Sequence, residues 1–92
     1  MIDYETGGLV RSLAGHDKGQ YFVILAEQGE YVTLVDGKAR RLDKPKRKSK
    51  KHIQVIHYIE ETLNKKIAHG EHVTDEEVRF AIRCYKKSHR GV

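Results

Sequence analysis

Nine of the chain's eighteen lysines and arginines fall between residues 38 and 51: Lys38, Arg40, Arg41, Lys44, Lys46, Arg47, Lys48, Lys50 and Lys51. Asp43 alone opposes them, so this segment carries +8 while the rest of the chain carries −3. The chemistry open to such a cluster is phosphate neutralisation. Each cation that meets a phosphate displaces condensed counterions and adds affinity. A run of like charges can also be a solvated loop with no partner. A charge this local has few structural uses, so nucleic-acid binding is the reading we favour. Charge by itself does not separate RNA from DNA.

The remaining chemistry-bearing residues form no set. Six histidines and the single Cys84 invite a metal. His69 and His72 are close in sequence, but zinc needs about four ligands at set spacings. His-Gly-Glu-His is not the His-Glu-x-x-His pattern of zinc proteases. No metal and no cofactor are expected. Cys84 lies in a predicted helix and reads as a small apolar residue. His89 is not one helical turn from it, and no nucleophile, base and orienting group can be assembled. An enzyme is not expected.

The elements that must position the cations follow from patterning. Leu9 to Leu13 reads as a first strand. The segment Ala14-Gly15-His16-Asp17-Lys18-Gly19 breaks it, with glycines at both ends free to take positive φ. Tyr21 to Leu25 and Tyr31 to Val35 are aromatic and β-branched, hence strands. Asp36-Gly37 then signals a hairpin, with Ala39-Arg40-Arg41-Leu42 pairing back as a short basic strand. Residues 44 to 51 hold no large apolar side chain and predict a mobile basic loop. His52 to His57 would be the last strand. Four or five short strands joined by short loops suit a small barrel.

The last third changes period. Ile59, Leu63 and Ile67 recur every four residues, one face of a helix. Glu61 and Lys65 are spaced for an ion pair, and Gly70 is placed to end the helix. Thr74 and Glu77 form a capping box, with Val73 and Val78 as its hydrophobic staple. Val78, Ala81, Ile82 and Tyr85 give the apolar face of a second helix. Arg79, Arg83, Lys86 and Arg90 form a basic stripe beside it, read first as a solvated face. Tyr21 and Tyr31 read as core residues before they read as base-stacking ones.

The 14–19 segment, together with Val10, Tyr21 and Ile24, resembles the KOW motif, a strand–loop–strand element of ribosomal proteins and transcription factors. The likeness extends over Leu9 to Leu25, Val35-Asp36-Gly37-Lys38, Arg41-Leu42, Lys44-Pro45-Lys46 and Lys51-His52-Ile53. On these residues the chain is similar to the bacterial KOW-domain RNA-binding proteins. Those proteins are related to KOW-bearing large-subunit ribosomal proteins of archaea and eukaryotes. His16 stands where the motif usually has Arg or Lys. The resemblance implies an SH3-like β-barrel that binds structured RNA through the loop and its basic strands.

The expected fold is therefore mostly β plus α. A small SH3-like barrel of about five strands spans residues 1–57, and two helices in residues 58–92 pack on it as one unit. The expected RNA-binding residues are Arg11, His16, Lys18, Lys38, Arg40, Arg41, Lys44, Lys46, Arg47, Lys48, Lys50, Lys51 and His52, with Gly15 and Gly19 shaping the loop. RNA, above all ribosomal RNA, is the expected partner, with ribosomal proteins as candidates and a monomer as the expected state. The alternative is a protein-interaction module that docks on a ribosomal or transcription component. No apolar run is long enough to cross a membrane, the N-terminus lacks a secretory pattern, and a lone cysteine allows no internal disulfide. A cytoplasmic protein is expected.

Overall fold

The computed structural model describes residues 4–88. Five strands, Gly8–Ser12 (β1), Tyr21–Gln28 (β2), Tyr31–Val35 (β3), Lys46–Ser49 (β4) and Ile53–Ile59 (β5), form one antiparallel sheet. Their order is β4-β3-β2-β1-β5. Helices Glu61–Ala68 (α1) and Asp75–Ser88 (α2) follow. The sheet is open rather than a closed barrel, because β4 and β5 are its two edges and a 3₁₀ turn, Lys50–His52, joins them.

Both faces of the sheet are apolar, which follows from strands that alternate little. Val10, Phe22, Ile24, Val32, Leu34 and Ile53 form one buried cluster that includes no helical residue. With no helix to cover it, that face is buried by the sheet's own curl. Register breaks between Ile24 and Ala26 on β2 and between Gly8 and Leu9 on β1 are where such bending is accommodated. Leu9, Val23 and Val35 point to the other face, where Leu63, Val78, Ala81 and Ile82 of the helices cover them.

Local signals set the helix ends. Glu77 N–H donates to Thr74 Oγ1 at 3.2 Å and Thr74 N–H donates to Glu77 Oε1 at 3.0 Å, so the capping box is formed. Val73 and Val78 meet in the helix-side core, as a staple requires. α1 stops where Glu71 N–H donates back to Lys66 O at 2.8 Å. Two details differ from expectation. Ile59 belongs to β5, and α1 starts at Glu61 with Glu60 as its cap. No Glu61–Lys65 ion pair forms among the described residues; Lys66 instead bridges the helices to Glu77 at 2.5 Å.

The largest corrections fall on the basic segment. Residues 39–42 are not a strand. Asp36 Oδ1 accepts from the N–H groups of Lys38 (2.9 Å) and Arg40 (2.8 Å), so the chain curls into a loop instead of a tight hairpin. Leu42 N–H donates to Asp75 Oδ1 at 2.8 Å, and Arg79 Nη1 donates to Gly37 O at 2.6 Å. Both bonds seat the loop on the start of α2. Residues 44–51, expected to be a loop, contain β4 and the first two residues of the 3₁₀ turn.

Candidate nucleic-acid interface

β4 reads Lys-Arg-Lys-Ser, a sequence with no apolar residue, and its register explains how it is held. Lys48 lies opposite Val32 and Lys46 opposite Leu34. Directly opposed residues share a face, so both lysines point to the curled, inner side of the sheet. Asp17 of the 14–19 loop meets them there. Lys46 Nζ donates to Asp17 Oδ2 at 2.6 Å, and Lys48 Nζ donates to Oδ1 at 2.7 Å and to Ala14 O at 2.8 Å. The hydroxyl of buried Ser12 lies 2.6 Å from the same Oδ1. This polar cluster closes one end of the inner core.

The carboxyl of Asp17 is only 12% exposed. Burial alone would raise its pKa, but the hydrogen bonds from Lys46, Lys48 and Ser12 outweigh burial and hold it well below the ordinary aspartate range. The cost falls on the interface. Lys48 is 8% exposed and its ammonium is committed to Asp17 and Ala14, so it faces no external phosphate. Lys46 is shared with Asp17. Lys50 pairs with Glu27 and lies 4.4 Å from the centroid of the Tyr4 ring.

The other expected contacts are exposed: Arg11, His16, Lys18, Lys38, Arg40, Arg41, Lys44, Arg47, Lys51 and His52. Among the described residues none of these ten is in an ion pair. Arg47 projects to the outer face, where its guanidinium lies 4.0 Å from the centroid of the Tyr31 ring. Tyr31 is 40% exposed, so it is not the core residue expected; it and Arg47 make a cation–aromatic surface pair. Tyr21 is half-buried against Tyr85.

The 14–19 loop has the shape its glycines predict. Gly15 has φ +86° and Gly19 φ +87°, values costly for any residue with a Cβ. Two turns follow: Lys18 N–H donates to Gly15 O and Gln20 N–H to Asp17 O. Gly19 N–H donates to Ser12 O at 2.8 Å, closing the loop on β1. His16 and Lys18 are left at the exposed tip. Leu13 N–H donates to His52 O at 2.8 Å, which brings the 3₁₀ turn beside the loop.

A cleft of about 440 Å³ opens from the far side of the loop. Gly19, Gln20 and Tyr21 form one wall, Asp36 and Lys38 a second, and Arg79, Ile82, Arg83 and Lys86 of α2 the third. Sequence reasoning saw the helix cations only as a solvated stripe. Their spacing placed Arg79, Arg83 and Lys86 on one face, but nothing local told which element that face meets; Arg90 lies outside the described residues. Among the described residues no three metal-ligating side chains come together, and no described helix is long and apolar enough to cross a membrane. Comparison with known proteins finds no matching family model and no match among curated proteins.

Proposed function

We propose that the chain binds structured RNA, ribosomal RNA first among the candidates, without carrying out chemistry. The observation that carries this reading is the set of eight exposed lysines and arginines on β1, the 14–19 loop and the 38–51 segment, none of them in an ion pair among the described residues. A-form RNA is read through its backbone and shape, and an array of cations held by a rigid scaffold suits that kind of target. The KOW-like residues at 14–19 support the same reading. So does the strand order β4-β3-β2-β1-β5, a curled open sheet that we liken to an incompletely closed SH3-like barrel of bacterial KOW type. A cytoplasmic monomer that works beside ribosomal proteins fits this proposal.

One feature favours a second reading. Phe80 is 47% exposed on α2 and borders a shallow depression with Thr74, Glu76, Glu77 and Arg83, a surface that suits a protein partner. Titration of an RNA hairpin at about 50 and about 200 mM salt separates the two. Replacing Arg40, Arg41, Lys44 and Lys51 with Gln is expected to weaken RNA binding at least tenfold, roughly the loss of several phosphate contacts, and to flatten the salt slope. Thermal stability should not change, since all four side chains are exposed. Unchanged affinity and slope would overturn the RNA reading in favour of protein docking.

A further inference from the structure

The cleft beside α2 combines two surfaces that a single nucleotide needs. Its lining includes Tyr21 and Ile82, the latter 8% exposed and part of the core. Its rim carries Lys38, Arg79, Arg83 and Lys86 against one carboxylate, Asp36. Asp36 already accepts two backbone N–H groups, and Arg79 donates to Gly37 O, so these two residues build the wall. Lys38, Arg83 and Lys86 have no carboxylate partner among the described residues. Lys86 Nζ sits 5.5 Å from the Tyr21 ring centroid, and the Arg83 guanidinium 5.8 Å from that of Phe80. Such aromatic contacts are weak at exposed sites, so both cations are free to turn to a phosphate.

The volume suits a ligand of nucleotide size and is too large for a bare phosphate. Position adds to the argument. Gly19 and Gln20 of the loop and Lys38 of the basic segment both line the cleft, so it is continuous with the cationic surface. Arg11 lies opposite Tyr21 in the β1–β2 register, on the same face of the sheet.

We propose that this cleft seats one unpaired nucleotide of the bound RNA, with its base against Tyr21 and Ile82 and its phosphate on Lys38, Arg83 and Lys86. The proposal rests on the RNA-binding reading and gives it a preference: a stem with an extruded base over a fully paired stem. Sequence-specific contacts to RNA concentrate on bases splayed out of the helix, and the major groove of the paired stem admits no side chain.

The test uses two RNA hairpins that differ by one bulged adenosine, with the parent chain and the variant R83Q/K86Q. The parent is expected to prefer the bulged hairpin about tenfold, the scale of one base stacked on an aromatic ring. The variant should lose most of that preference, read as the ratio of its two affinities so that a uniform loss from the two missing charges cancels. Parent binding without preference, or a preference that survives in the variant, overturns the cleft and leaves the RNA reading standing. Absence of salt-dependent binding to either hairpin overturns the RNA reading itself. Titration with adenosine 5′-monophosphate alone checks the cleft without any hairpin. Amide shifts should cluster at Gln20, Tyr21, Arg83 and Lys86 and exceed those from inorganic phosphate. Equal effects from phosphate would overturn the base contact.

Discussion

Asp17 does two jobs at once: it fixes the loop and it decides which cations remain available outside. Its Asn variant would keep the side chain's shape but leave the Lys48 ammonium buried without its counter-charge. A loss of about 2–4 kcal/mol in urea unfolding is expected, because the orphaned charge sets the cost. Lys48→Met should cost less, no more than about 1.5 kcal/mol, since Asp17 keeps Lys46 and Ser12 as partners and the inner face is apolar. The reverse order would show that the cluster is not organised around Asp17. The same residue makes stability depend on acid. Its folded-state pKa is depressed, so its contribution is complete above the ordinary value of 3.8 and is lost as pH falls through the lower folded-state value. Asp17→Asn should therefore flatten stability against pH below about pH 4, where the parent declines. A parallel decline in both proteins would remove Asp17 from the acid response. None of this was legible from composition. A lysine run reads as a solvated one until the register shows that alternate members turn inward to a carboxylate some thirty residues away.

At the scale of elements, the 36–42 loop and α2 behave as one piece. Gly37 has φ +77°, and a Cβ there would come 2.5 Å from Asp75 O and 2.8 Å from Arg79 Cγ. Gly29 has φ +58° with open space around it. Gly37→Ala should thus cost about 3 kcal/mol and Gly29→Ala about 1 kcal/mol, with the difference set by the clash rather than by φ. Thermal melts of the two variants check this, and equal losses would mean that the loop is not seated on α2. Thr74→Ala removes the cap of the same helix and should cost about 1 kcal/mol. The local signals here were readable: the capping box, the end of α1, and three apolar strands all stand where propensity and spacing put them. What could not be read was β4 and the fate of residues 39–42. Lys-Arg-Lys-Ser has no strand pattern, and its extended form comes from the ladder with β3 and the tie to Asp17. Residues 39–42 had a strand's neighbours but lost their pairing to side chains, Asp36 within the loop and Asp75 across the chain.

For the molecule as a whole, the question is whether the sheet can stand without its helices. One face closes on itself, so a curled sheet of about sixty residues looks self-sufficient at first. The other face argues against that. Leu9, Val23 and Val35 are fully buried, and the residues that cover them include Leu63, Val78, Ala81 and Ile82 from α1 and α2. Exposing three to four such side chains forfeits about 1.5–3 kcal/mol each, a sum comparable with the entire stability of a small domain. The 36–42 loop would also lose its bonds to Asp75 and Arg79. A chain ending at Glu60 is therefore expected to be unfolded at 25 °C, with poorly dispersed amide resonances and no cooperative melt. Its RNA affinity would then fall for a reason unrelated to charge, since the cations from Lys38 to Lys51 would all be retained. The parent with Arg40, Arg41, Lys44 and Lys51 replaced by Gln is the opposite case, folded but poor in cations. If the chain ending at Glu60 melts cooperatively and binds RNA like the parent, the helices are neither part of the core nor a wall of the nucleotide cleft. The sheet alone would then be the functional unit.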